Sequence, residues 1–416
     1  MERIETTENR RTMPWLFLEL AVVFSVCSQI EPIEAIARPA MYIMWIIVMV
    51  SGVLNKGGVL SFGSFSRTFF IAYLLFCALC AVVWFFDNER LTANYIRVLL
   101  IPLMVTIVGD LFSGEDRALI NRLVRLYLIC SVIFAFWVQR TYFPSYSSWL
   151  RASMYLFREK NSAGQIWIAA IFSSLLLLDY RSDLERLLIY LLCGYLFIMT
   201  GFSQSRTALL GSMLAVAAFA ILRAENKLAW SLLVATMFIV VWFIPVTHSF
   251  IEKALFLSRF DGTNLDVYSS GRLSRYAMTV RDIQIEPFFG LGSYYVDCSY
   301  LLILAESGLV GFAIVEWIWG SKILSCFRYR GRGNERYFLF MMTIFYLCES
   351  VLEGYPPFGP GVSTFMYWLL SSLVINRTDD DDEDEDDDED DAPETSAQGL
   401  LPGGDGGSAE DADRPV

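Results

Sequence analysis

Residues 68–86 read TFFIAYLLFCALCAVVWFF, nineteen consecutive positions without a charged side chain. A helix needs roughly 20 apolar residues to cross the hydrocarbon layer of a bilayer, and this run supplies them. Windows of the same character recur at 14–30, 35–54, 92–110, 122–140, 162–179, 184–201, 206–223, 228–247, 298–320, 336–354 and 362–375. Apolar residues make up 55% of the chain and aromatics 15%, outside the range of soluble globular domains. The expected fold is an all-α, polytopic integral membrane helix bundle of about 12 transmembrane helices. One larger extracytoplasmic loop containing short helices is expected at about 248–297. Residues 1–13 form a cytoplasmic N-terminus, 14–375 the membrane domain, and 376–416 a disordered acidic cytoplasmic tail. Arg10 and Arg11 precede the first apolar run but no small-residue cleavage site follows it, so the first helix is expected to stay as an anchor.

Basic residues orient the bundle. With the N-terminus inside, one set of loops collects Arg10, Arg11, Lys56, Arg67, Arg117, Arg122, Arg125, Arg181 and Arg186, with a dense group from Lys322 to Arg336. Lys and Arg favour the cytoplasmic side, which puts both termini there. Arg151, Arg158, Lys160, Arg206, Arg259, Arg272, Arg275 and Arg281 then fall on the translocated face, against that bias. An anionic ligand is the natural reason for them.

The net charge of −13 is misleading, because residues 379–391 are thirteen acidic side chains in a row. Without residues 378–416 the chain holds 31 basic and 27 acidic residues, about +4. An acidic block followed by Pro, Gly and Ser is expected to be solvated and disordered. Of eight scattered cysteines, Cys77 and Cys80 are three apart but within an apolar helix, which is packing and suggests neither zinc nor a disulfide frame, and the single histidine, His248, cannot build a histidine metal site alone.

Two outward loops exceed a tight connection, at about 141–161 and 248–297, and loops of that length are commonly functional or disordered. In the second, Ser269-Ser270-Gly271 can cap a helix starting near Arg272. Leu273, Tyr276, Ala277, Val280 and Ile283 then give that helix one apolar face, and Glu286-Pro287 ends it. Arg272 and Arg275, three apart, share a flank. Guanidinium forks match phosphate oxygens through paired hydrogen bonds. The same arginines could equally hold the loop on anionic lipids.

Arg206 opens the helix 206–223 after a very short outward turn in which Ser205 can cap. A helix N-terminus attracts anions. An arginine there either awaits one or snorkels to headgroups. Arg97 lies inside a span and needs either a ligand or a partner such as Glu349 or Glu353. Asp297, Glu306, Glu349 and Glu353 lie near the outer face as candidate bases for a hydroxyl nucleophile, or as partners of the arginines.

Three blocks in order carry a resemblance. They are Lys160-Asn161-Ser162-Ala163-Gly164, then Ser203-Gln204-Ser205-Arg206-Thr207-Ala208-Leu209-Leu210-Gly211, then Gly271-Arg272 through Pro287-Phe288-Phe289-Gly290-Leu291-Gly292 to Tyr300–Gly311. Over roughly residues 155–320 the chain resembles the O-antigen polymerase/O-antigen ligase superfamily of bacterial membrane proteins. The resemblance implies a glycosyltransferase, independent of metals and cofactors, acting on undecaprenyl-diphosphate-linked oligosaccharides at the outer leaflet of the bacterial plasma (inner) membrane. By block matching it implies Arg206 and Arg272 as catalytic groups on the leaving diphosphate, with Asp297 or Glu306 for the acceptor hydroxyl. Lys160, Asn161, Arg158, Arg275 and Tyr300 are implied as substrate-binding. The implied partners are membrane lipids, a chain-length regulator and a flippase of the same pathway, and no nucleic acid. The ligase branch usually carries a histidine before the helix that follows the large loop, where this chain has Val296-Asp297-Cys298-Ser299-Tyr300. That departure favours a polymerase of repeat units for capsule, exopolysaccharide or O-antigen. The competing expectations are a ligase with a different acceptor and a transporter or flippase of anionic glycolipids.

Overall fold

The computed structural model describes residues 2–58, 62–86, 93–114, 117–151, 157, 160–180, 182–223, 228, 232, 236, 242–255, 257, 266, 269–331, 333–359 and 363–386. Contacts separate a unit Met1–Thr378 from a unit Asp379–Val416, and the described residues of the second, 379–386, are helical. Every regular element among the described residues is a helix. In chain order these are α1 (Glu2–Cys27), α2 (Glu34–Asn55), α3 (Ser64–Phe86), α4 (Ala93–Leu111), α5 (Arg117–Tyr142), α6 (Tyr146–Arg151) and α7 (Lys160–Ser173). There follow α8 (Asp183–Phe202), α9 (Arg206–Arg223), α10 (Pro245–Leu255), α11 (Arg272–Ile283), α12 (Ser299–Arg328), α13 (Gly333–Leu352) and α14 (Phe365–Asp386).

Six stretches are long and apolar enough to cross a membrane: Glu31–Asn55, Ser64–Phe86, Arg117–Tyr142, Lys160–Leu178, Asp183–Phe202 and Ser299–Arg328. The chain is a helical membrane protein. The expected windows at 14–30, 206–223 and 362–375 fall on the shorter apolar helices Met13–Cys27, Arg206–Leu222 and Phe365–Asn376. Those at 92–110 and 336–354 fall on α4 and α13, and most of 228–247 lies outside the described residues. The last helix runs past residue 375 to Asp386, so 376–386 are helical where a disordered tail was expected, and 387–416 lie outside the described residues.

Aromatic packing ties α3, α12 and α14 together. Trp368 lies 5.5 Å, ring to ring, from both Phe69 and Phe358, with Trp319 at 6.3 Å. Lys322, expected among the loop cations, is instead buried in α12 at 1% exposure. Its ammonium stands 4.6 Å from the centre of the Phe65 ring and 5.5 Å from that of Trp368. The helix continues beyond residue 320, and the negative faces of the rings attract the cation.

The feature that shapes the site is a break inside α12. Gly308 takes φ 65° and ψ −170°, so the halves Ser299–Ser307 and Leu309–Arg328 are not one continuous helix. A break strands carbonyls at the end of one half and amides at the start of the next, and the bilayer core cannot satisfy them. The turn 287–292 does so. The amides of Leu291 and Gly292 donate to the carbonyls of Ala305 (2.7 Å) and Glu306 (3.1 Å). In return, the amides of Leu309 and Val310 donate to the carbonyls of Pro287 (2.8 Å) and Phe288 (3.2 Å). The backbones meet so closely that a Cβ at Gly308 would lie 2.3 Å from the Phe288 carbonyl group, and one at Gly290 (φ 77°) 2.5 Å from that of Glu306. Both contacts are to backbone, which has no rotamer with which to yield.

Gly308→Ala therefore combines a left-handed conformation with a backbone clash, and we expect it to cost at least about 2 kcal/mol. The check is thermal unfolding of purified protein in detergent against Gly194→Ala, whose added methyl meets open space. Equal stability of the two variants would refute this account of the break.

Candidate functional site

Four helix ends converge on one cavity of about 350 Å³. The N-terminal ends of α7, α9 and α11 contribute Lys160 and Asn161, Arg206 and Thr207, and Arg272, while the end of α13 contributes Leu352. Leu210, Ser269, Ser270 and Asp297 complete the lining.

Arg272 is held on several sides. Its Nε lies 3.2 Å from Asp297 Oδ2, Nη2 donates to Glu353 Oε1 at 3.0 Å, and Nη1 donates to the Leu352 carbonyl at 2.5 Å. Burial alone would lower its pKa; Glu353 and Asp297 outweigh that and hold it above the ordinary guanidinium value. Asn161 Nδ2 also donates to Glu353 Oε1, at 2.9 Å. One turn earlier on α13, Glu349 accepts from Gln165 Nε2 at 2.6 Å. The Glu349–Glu353 pair thus ties α7 and α11 to the end of α13. Arg97, for which these glutamates were candidate partners, is exposed on α4, and Glu353 serves Arg272 instead.

Asp297 is fixed on both sides. Its Oδ1 accepts from the Tyr295 hydroxyl at 2.8 Å, and its carbonyl accepts from the Tyr276 hydroxyl on α11. Burial first, then the bond to Asp297, raises the Tyr295 phenol, and burial pushes Tyr276 up to about 12. Both phenols therefore stay protonated donors at neutral pH.

The cap of α11 differs from the expected one. Ser269 Oγ accepts from the Leu273 amide only at 3.4 Å, whereas Asp266 accepts from the Ser274 amide at 2.8 Å and the Ser274 hydroxyl at 2.7 Å. Those bonds hold the Asp266 carboxyl below its usual range. Ser270 is thereby left to the cavity, where it accepts from Arg206 Nη2 at 3.0 Å. Ser205 also departs from expectation: the Leu209 amide bonds its carbonyl, while its buried hydroxyl has no hydrogen-bond partner among the described residues.

Among the described residues, two non-glycine residues adopt left-handed backbone, Gln204 and Ser270, both at φ 59°. Each bonds a cavity cation, Ser270 to Arg206 and the Gln204 carbonyl to Lys160 Nζ at 3.4 Å. Such a conformation costs about 1–2 kcal/mol per residue, and such strain clusters at ligand sites. The buried Thr207 hydroxyl lies beside the Glu349 carboxyl at the floor of the cavity.

Of the residues singled out in the sequence, Lys160, Asn161, Arg206, Arg272 and Asp297 come together. Arg275 does not; it is exposed on α11 outside the lining. Glu306 is also elsewhere: at the break in α12 it is 1% exposed and outside the cavity lining. Tyr300 is half-buried in the first turn of α12 beside Trp319 and Ser350. Arg158 lies outside the described residues. Thr207, Leu210, Ser269, Ser270 and Leu352 were not assigned to the site from sequence; the left-handed positions of Gln204 and Ser270 have no residue-type signature.

The shared Glu353 carboxylate makes its two donors interdependent. Glu353→Gln should destabilise the fold by about 1–3 kcal/mol, and Arg272→Ala combined with it should cost less than the two single losses added. Thermal unfolding of the four proteins measures the coupling; strict additivity would mean the pair does not act as drawn.

No protein-family model matches this chain, and neither does any curated protein.

Proposed function

We propose that the cavity binds the diphosphate of a lipid-linked oligosaccharide, and that the chain polymerises undecaprenyl-diphosphate-linked repeat units at the outer leaflet of the bacterial plasma membrane. The observation that carries this reading is convergence. Lys160 and Asn161, Arg206 and Thr207, and Arg272 and Asp297 belong to sequence blocks tens of residues apart, yet line one cavity. Three cations stand there against one lining carboxylate. Asp297 and Glu353 hold Arg272, and Lys160 and Arg206 line the same cavity as the cations assigned to the diphosphate.

In this reaction the acceptor hydroxyl attacks the anomeric carbon at the reducing end of the donor glycan. The bond from that carbon to the diphosphate oxygen breaks, and polyprenyl diphosphate departs with the electron pair. Fixed cationic donors stabilise charge that grows on a leaving group, the role of Arg206 and Lys160. Arg272 fixes the cavity edge and presents Asp297, the carboxylate that takes the acceptor's proton. The N-terminus and acidic tail lie in the cytoplasm on this reading, and the 269–297 segment faces outward.

The test is reconstitution of purified protein with lipid-linked repeat units in the presence of EDTA, with products separated on a gel. A ladder of longer lipid-linked glycans is expected. Arg206→Ala should reduce it by at least about 100-fold while protein still accumulates in the membrane. Arg272→Lys should restore only part of what Arg272→Ala loses, because a single ammonium cannot reproduce the fork. Glycan appearing only on an added second acceptor would make the protein a ligase. Lipid crossing the bilayer without new glycosidic bonds would place it with transporters, and either result overturns the polymerase.

A further inference from the structure

The far ends of α9 and α13 enclose a cavity of about 480 Å³ together with the end of α12. Phe219 of α9, Phe327 of α12, and Tyr337 and Phe340 of α13 form its walls, and Arg336 also lines it. Two helices give its depth. On α9, Phe219 follows Arg206 of the cationic cavity by thirteen residues, and on α13, Arg336 precedes Leu352 by sixteen. At 1.5 Å per residue these separations are about 20 and 24 Å. The hydrocarbon layer of a bilayer is about 30 Å thick, so the two cavities belong to opposite leaflets. The helices lie against each other at this end, where the Phe219 and Tyr337 rings meet edge to face at 4.8 Å.

Positive charge at this end is not balanced by acid. With Lys322 buried among rings, the basic group counted from Lys322 to Arg336 leaves Arg328, Arg330 and Arg336 exposed. None of these three has an acidic partner among the described residues. Glu335, next to Arg336 in the chain, is buried and committed elsewhere: it accepts from the Tyr329 hydroxyl at 2.5 Å and lies 3.6 Å from Arg117. The same end also presents hydrocarbon. Leu222 and Phe327, both lining residues, are 60% and 44% exposed, and Leu324, one turn before Phe327 on α12, is 47% exposed. The cavity thus opens sideways toward lipid tails while its cations stand at the level of the headgroups.

We propose that this cavity binds an anionic phospholipid of the leaflet opposite the cationic cavity, with its phosphate on Arg336 and an acyl chain against Phe219, Phe327 and Phe340. Basic pockets between helices at a membrane surface take anionic headgroups, and a guanidinium fork meets two phosphate oxygens at once. Arginines without acidic partners beside exposed apolar walls match a molecule that carries both a phosphate and a chain. A soluble phosphate compound would leave the aromatic walls unused. Surrounding lipid is as apolar as those walls, so selectivity for this lipid comes from the headgroup charge. The site does not depend on the reaction proposed above and stands if that reading falls.

The experiment titrates the full chain in detergent with phosphatidylglycerol and, separately, with phosphatidylcholine, and measures bound lipid by native mass spectrometry. Wild-type protein should hold phosphatidylglycerol at least about fivefold more tightly. Arg336→Ala, at an exposed position, should remove most of that preference, and Arg336→Lys should return part of it. Leu222→Trp, which fills the cavity and leaves every cation in place, should weaken phosphatidylglycerol as well. The control is Arg67→Ala, which removes an exposed cation at the start of α3 outside this lining and should leave the preference unchanged. An equal loss from Arg67→Ala would make binding a property of a diffuse basic face and overturn the site. So would a wild type without preference, a preference untouched by both Arg336→Ala and Leu222→Trp, or displacement of the lipid by inorganic phosphate.

Discussion

A helix interrupted within a membrane exposes amides and carbonyls to a medium that offers no hydrogen bonds, and the architecture of this protein is organised around satisfying them. At Gly308 the turn 287–292 lends two carbonyls and two amides to the broken ends of α12. That docking fixes the segment between α11 and α12, and so the position of Asp297. Asp297 in turn orients Arg272, and Tyr276 clamps α11 down on the Asp297 carbonyl. The cavity is thus a consequence of backbone chemistry some distance from it.

A second set of constraints comes from the end of α13. Glu353 accepts from Asn161 and Arg272 at once, so α7 and α11 share one acceptor. This makes Arg272 a fixed part of the cavity wall. Lys160 and Arg206 are held differently, against Gln204 and Ser270 in left-handed turns.

The helices were legible because uninterrupted apolar runs signal spans by composition alone, and a group of arginines stood out because counting basic residues set them apart from the other loops. Lys160, Arg206, Arg272 and Asp297 were found in that way. What sequence could not reveal was pairing at long range. Asn161 and Arg272 meet Glu353 across 192 and 81 positions, and no local period encodes that. Glu306, implied by block matching beside Asp297, lies instead buried next to the break at Gly308 and outside the cavity lining, a placement that a local block does not encode. Lys322 misled for another reason: α12 outlasts its apolar core, and aromatic rings accept a cation that counting had assigned to water.

The docking at Gly308 also has a direction in time. Chains are made from the N-terminus, so residues 287–292 emerge before the half-helix Leu309–Arg328 whose first amides they receive. The partner for each stranded group on that side of the break already exists when the group is synthesised. An inserting helix that would otherwise hesitate at its own discontinuity meets a waiting template, and the order of the sequence becomes part of how the fold is reached.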